Sequence, residues 1–180
     1  MMLVFNNWVI VMKQLILICG FLFSFMSAQA QTATGAAISD AALRQQVTQF
    51  LDEWHDDAAH ANPRYFDKIA LHGVYIGTDK SERWEREAFR AWAKPYFDAK
   101  KAWEFHAIKR NIAFSDDKSI IWFDEQLNTQ MGICQASGVI SVTPTGLQIQ
   151  HYQLSLTVPN DLLDSIQKQI SEFDAKHPVK

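Results

Sequence analysis

From Asp40 onward the apolar residues recur at a helical period: Leu43, Val47, Phe50, Leu51, Trp54 and Ala58 fall on one face, with Ser39 or Asp40 placed to cap the first turn. Asn62-Pro63 restarts the chain as a cap and first-turn proline for a short helix carrying Phe66 and Ile69. Leu71 to Ile76 reads as a short strand that runs into a Gly77-Thr78-Asp79 turn. A third helix is expected from near Ser81, capped by Thr78, Asp79 or Ser81. Trp84, Ala88, Ala91 and Trp92 lie along one side of it until Pro95 removes a donor and bends or ends it.

At Trp103 the period changes to two. Four segments follow, separated by Asp116-Asp117-Lys118, by Asn128 to Gly132 and by Thr143-Pro144-Thr145-Gly146, all of them turn chemistry, so an antiparallel meander is expected. Trp103 and Phe105 occupy odd positions whereas Ile108, Ile112 and Phe114 occupy even ones, which places a bulge near Ala107. Beyond Pro159, Asn160 caps a last helix with Leu162, Leu163, Ile166, Ile170 and Phe173 on one face.

The stretch ahead of these elements follows another rule. Lys13 precedes an apolar run from Leu15 to Met26, and Ser27-Ala28-Gln29-Ala30 places small residues before a cleavage point, the pattern of a secretory signal peptide. The expected organisation is a signal peptide over 1–30, a small polar flexible leader over 31–39, one domain over 40–160, and a C-terminal helix and tail over 161–180. Removing the signal peptide takes Lys13 from the 17 basic residues, leaving 16 against 20 acidic, a net charge of −4, and one cysteine of two, Cys134. A mildly acidic chain without basic clusters gives no footprint for nucleic acid, nor for a membrane surface once the signal peptide is gone. No Cys or His spacing suggests a metal: His55 and His60 are five apart and point to different sides of a helix. No cofactor is implied.

The order helix, helix, strand, helix, then a bent meander resembles the cone-shaped α+β fold of the nuclear transport factor 2-like superfamily. Particular words sharpen this: Gly77-Thr78-Asp79 with Glu82-Arg83-Trp84, Trp92-Ala93-Lys94-Pro95-Tyr96-Phe97, Trp122-Phe123-Asp124-Glu125, Gly132 and Cys134 with Ser137-Gly138-Val139, and His151-Tyr152 with Leu154-Ser155. They resemble the SnoaL-like branch, in particular exported bacterial members without an assigned activity, over about Asp40 to Asn160. The resemblance implies a curved antiparallel sheet wrapped by N-terminal helices around a conical cavity, and frequent homodimers.

It further implies that the even-numbered positions of the Trp122 strand and of the last strand face the cavity. Trp122, Asp124, Cys134, Gly138 and Tyr152 are therefore expected near it, with Trp54, Tyr75 and Trp92 from the other elements. Asp124, beside Trp122 in apolar surroundings, is the candidate acid or base, and Arg110 on the preceding strand is its candidate partner. His151, of opposite parity, is expected on the other face. The branch comparison also shows departures: Leu154 stands where cyclases carry an ionisable group, Asp124 is followed by Glu125 and Gln126 rather than an epoxide hydrolase pattern, and Leu71 to Ile76 lacks the aspartate of a steroid isomerase.

Five tryptophans outside the signal peptide suggest an aromatic-lined ligand pocket. The reading is an exported SnoaL-like protein, periplasmic or secreted, that binds a small apolar or aromatic molecule and forms a homodimer. Its alternatives are an acid/base enzyme of isomerase, dehydratase or cyclase type using Asp124, or a catalytically silent dimerisation domain. On the export reading, mass spectrometry of protein recovered from the periplasm or medium of a bacterial host is expected to find a chain beginning at Gln31; an intact N-terminus in the cytosol would contradict it.

Overall fold

The computed structural model describes residues 38–177. The expected signal peptide, the leader up to residue 37 and the last three residues lie outside them. The elements are α1 (Asp40–Ala59), α2 (Arg64–Asp67), β1 (Ile69–Ile76), β2 (Arg83–Glu85), α3 (Arg86–Asp98), β3 (Phe105–Phe114), β4 (Ile120–Thr129), β5 (Gly132–Thr143), β6 (Gly146–Leu156), a 3-10 turn (Asn160–Leu162) and α4 (Leu163–Lys176). Among them no helix is long and apolar enough to cross a membrane.

Six strands form one sheet in the order β2-β1-β6-β5-β4-β3. All neighbours are antiparallel except β1 and β6. The sheet is curved and unclosed, and α1 and α3 cover its inner face to give the α+β cone that the sequence resembles. Ser39 caps α1 by accepting the Ala42 N–H at 3.2 Å, and Leu43, Val47, Leu51, Trp54 and Ala58 are buried as the periodicity predicts. The expected bulge is present as a register shift between Ala107 and Lys109. The β3–β4 turn is fixed by Asp117. Its carboxylate accepts from Ser115 Oγ (2.6 Å) and from Ser119 N (3.0 Å) and Oγ (2.8 Å), and these bonds hold its pKa down to about 2.

The region after β1 departs from expectation. Arg83, Trp84 and Glu85 are not helical but pair with Ile76, Tyr75 and Val74 as an edge strand. Asp79 therefore caps no helix; it accepts the Ser81 N–H and Oγ–H inside the hairpin loop (2.8 and 2.6 Å), and Gly77 N–H donates to Glu82 O to close the loop. The helix starts at Arg86, five residues later than expected, and buries Phe89, Ala93 and Phe97 rather than Ala88, Ala91 and Trp92. It carries Pro95 internally to Asp98. Ile69, expected on α2, opens β1.

The inward set of β4 is also reversed. Ile121, Phe123, Glu125 and Leu127 are buried, whereas Ile120, Trp122, Asp124 and Gln126 are exposed. The two-residue turn between β4 and β5 sets Thr129 against Gly132, so odd residues of β4 lie beside even residues of β5. Phe123 faces Gly138, which in turn faces Tyr152. A Cβ at Gly138 would sit 2.6 Å from the Phe123 ring and 2.7 Å from His151 O, so this position admits only glycine without movement. A second register shift, between Val139 and Ile140, puts Ile149 on the same face as Tyr152 and Leu154. His151 lies in line with Val139 and Trp122 and so shares the outer face with Asp124, contrary to expectation.

Candidate functional site

The depth of the cone is filled. Trp54, fully buried, stacks on Tyr65 with centroids 4.9 Å apart and meets Tyr152 edge-on at 4.8 Å, while its indole N–H donates to Tyr65 O at 3.0 Å. Cys134, a free and buried thiol, lies 3.6 Å from Thr129 Oγ1. These expected ligand residues are core, and Tyr152 with them.

Beneath this aromatic layer lies an ionic one. Arg110 and Glu125 are register partners on β3 and β4. Arg110 Nε donates to Glu125 Oε2 and His55 Nε2 to Oε1, both at 2.8 Å, with the Tyr152 hydroxyl 3.5 Å from Oε1. Arg110 Nη1 continues to Asp52 Oδ1 (2.8 Å) and Thr48 O (3.2 Å), tying α1 to β3. Burial pushes the Glu125 pKa up, but the hydrogen bond and charge of His55 and those of Arg110 outweigh it and leave it below the ordinary value. Burial first, and the Glu125 charge second, push the Tyr152 hydroxyl well above its usual range. The result is an ionised carboxylate with both oxygens engaged and a tyrosine that stays protonated. Arg110 thus pairs with Glu125 rather than with Asp124, which is exposed and accepts from Asn111 Nδ2 at 2.8 Å.

The open space is at the mouth. The β1–β2 pairing sets Trp84 across from Tyr75. Since α3 begins at once, Phe89 stacks on both, with centroids 4.1 Å from Tyr75 and 5.4 Å from Trp84. Trp92, one turn on, comes within 4.6 Å of Trp84, and Trp103 stacks on Phe89 at 5.6 Å. These rings, with Phe105, Met131 and Leu154, line a pocket of about 160 Å³ whose polar rim is Thr78, Glu82 and Gln130. The Trp103 indole N–H is buried and makes no hydrogen bond among the described residues.

Of the residues expected at the cavity, Tyr75 and Trp92 line this pocket. Trp54, Cys134 and Tyr152 are core, Arg110 belongs to the ionic layer, and Trp122 and Asp124 stand on the outer face. Leu154 faces inward as expected. Trp84, Phe89, Trp103, Phe105 and Met131 are additional lining, and the His55–Glu125 pair was not anticipated. Both had a signal: His55 follows Leu51 by four and precedes Ala58 by three within the apolar stripe, and the odd set Ile121, Phe123 and Leu127 outweighs Ile120 and Trp122 in bulk. Among the described residues no three His, Cys, Asp or Glu side chains are grouped to hold a metal ion.

A family model described as a SnoaL-like domain matches residues 47–159. No curated protein matches. Among solved structures, a nuclear transport factor 2-like protein of unknown function from Pseudomonas putida is similar at 10% identity and TM-score 0.57, over 67% of this chain and 91% of that one. A nuclear transport factor 2-like protein with a cystatin-like fold from Novosphingobium aromaticivorans is similar at 9% identity and TM-score 0.55, over 68% and 87%. A protein from Catenulispora acidiphila, solved in complex with S-DNPA, is similar at 17% identity and TM-score 0.52, over 64% and 93%. These likenesses concern the fold.

The ionic layer carries a pH signature. Folded Glu125 loses its proton more readily than an unfolded glutamate at 4.5, so its contribution to stability is complete above that pH and is lost as pH falls through the lower folded value. Glu125→Gln is expected to flatten the acid loss of stability in urea unfolding followed from about pH 7 to about pH 3. Arg110→Ala, which strands a buried charge, is expected to cost about 3–5 kcal/mol at neutral pH.

Proposed function

The chain belongs to the SnoaL-like domain family, and from that premise we propose that it is an exported, homodimeric binding protein that takes a small aromatic molecule into the pocket at the mouth of its cone. The observation that carries this reading is the ring of Tyr75, Trp84, Phe89, Trp92 and Trp103 around about 160 Å³ of open space. These rings stack on one another and still leave this space between themselves and the Thr78, Glu82 and Gln130 rim. An apolar cavity of about 150 Å³ is known to accept benzene, so this pocket suits one ring or two fused ones. Glu82 at the rim disfavours an anionic group on that side.

The reading prefers binding to turnover. Two carboxylates are buried among the described residues: Glu125, whose two oxygens are engaged by His55 and Arg110, and Asp57, which is paired with Arg64 and Lys68. Asp124 faces away from the pocket. For dimerisation the supporting feature is the outer face of the sheet, where Trp122 is 50% exposed in mid-strand, in line with Val139 and His151.

Two measurements test these parts. The protein is expected to bind 1-naphthol in calorimetry, and Trp84→Ala to weaken that binding by about ten- to a hundredfold, the loss of one stacked indole face; unchanged affinity would remove the pocket from consideration. Trp122→Lys is expected to convert a dimeric mass in light scattering into a monomeric one without altering 1-naphthol affinity, whereas a wild-type monomer would contradict the dimer.

A further inference from the structure

No residue of α4 is buried, although Leu163, Ile166, Ile170 and Phe173 recur at spacings of three and four and share one side. Leu163, Ile170 and Phe173 are 50%, 56% and 61% exposed. Most helical stability in proteins comes from packing such a stripe, so a 14-residue helix that leaves it wet lacks its main support.

The chain leading into this helix and the helix's last turn are each bonded to a segment that borders the aromatic pocket. On the approach to it, Thr157 donates through its backbone N–H and its Oγ1 to Ile133 O, at 3.3 and 2.6 Å, two residues from Met131 of the pocket wall. Near its end Asp174 accepts from Lys80 Nζ at 2.8 Å, and Lys80 belongs to the β1–β2 loop that supplies Thr78 and Glu82 to the same wall. A helix of 14 residues spans about 21 Å. Between its polar positions the rim exposes apolar surface: Trp92 is 40% exposed and Met131 41%.

We propose that α4 is the missing wall of the pocket: on binding an aromatic ligand, it turns its Leu163 to Phe173 stripe onto the Trp92 and Met131 rim, so that Ile170 and Phe173 complete the ligand's enclosure. The inference rests on the reading of this pocket as the ligand site. The movement is inexpensive because the link holding the helix in its present pose is an exposed ion pair, and such pairs contribute little. Two apolar surfaces then leave water together, and the ligand is the third partner that makes the fit. The polar side of α4 mixes Asp164, Glu172 and Asp174 with Lys168 and Lys176. It is not the basic face that an anionic membrane surface would select.

The full-length mature chain, its Ile170→Gln/Phe173→Gln variant and its Trp84→Ala variant are compared for 1-naphthol affinity by calorimetry and for dissociation rate by stopped-flow tryptophan fluorescence. The double variant is expected to bind about tenfold more weakly, mostly through faster dissociation, with unchanged circular dichroism. In a separate Met131→Cys/Ile170→Cys variant, a disulfide is expected to form faster when 1-naphthol is present. If the double variant binds as the parent does while Trp84→Ala loses affinity, the pocket stands and the wall is overturned. Should the double variant instead become monomeric with binding intact, the stripe is covered by a second copy and the proposal is wrong. Absence of 1-naphthol binding by the parent chain overturns pocket and wall together.

Discussion

Glu125 has no exposed side-chain surface, and a carboxylate in that position survives only if both oxygens are met. His55 from α1 and Arg110 from β3 meet them, each at 2.8 Å. Three separate elements are therefore obliged to converge on one point, and Arg110 extends the obligation to Thr48 and Asp52 further along α1. Removing one partner leaves a stranded charge, so the helix cannot shift along the sheet without paying a penalty of several kcal/mol. The register of α1 against the sheet, and with it the position of Trp54, follows from this clasp. Such a pair adds less to net stability than to uniqueness: apolar residues of similar size would pack here, but would not fix where the helix sits.

Once Trp54 is fixed, the depth of the cone is taken. Its indole stacks on Tyr65 and closes against Tyr152, and Phe123 occupies the space above Gly138. Toward the mouth a pocket remains, walled by Tyr75, Trp84, Phe89, Trp92 and Trp103 and away from the clasped charges. The molecule thus separates its two kinds of chemistry. Its buried charges face one another and hold the frame, while the pocket at the mouth is walled by ring faces with Thr78, Glu82 and Gln130 at its rim. An acid or base acting on a bound molecule has to be within reach of it, and neither Asp124, on the outer face, nor Glu125, engaged on both oxygens, meets that requirement.

Much of this arrangement was legible in the chain. The α1 stripe, the meander with its bulge near Ala107, the places of its three turns and the cone fold follow from periodicity and turn chemistry together with family resemblance. Two errors had local causes. The segment from Arg83 to Glu85 carries no alternation long enough to mark a strand, and only its pairing with Val74 to Ile76 makes it one. The face of β4 was assigned by resemblance rather than by counting through the Gln130-Met131 turn from an inward Cys134; that count places Leu127, Glu125 and Phe123 inward. The clasp was harder to see, since His55 and Glu125 are 70 residues apart. Nothing local to a histidine in an apolar stripe says which carboxylate will answer it.

The smallest strand bears directly on recognition. Trp84 reaches the pocket because three residues of β2 pair with β1, and the loop between them is closed by its own bonds, Gly77 N–H to Glu82 O and Ser81 N–H to Asp79 Oδ1, with Lys80 reaching outward to Asp174. None of these residues touches the Glu125 clasp or the Trp54 layer. Sequence change between Gly77 and Glu82 can therefore move an indole by an ångström or more while the frame stays intact, because an edge strand has a partner on one side only. On the binding reading proposed above, selectivity for one ring shape over another then rests on this hairpin rather than on the Glu125 clasp.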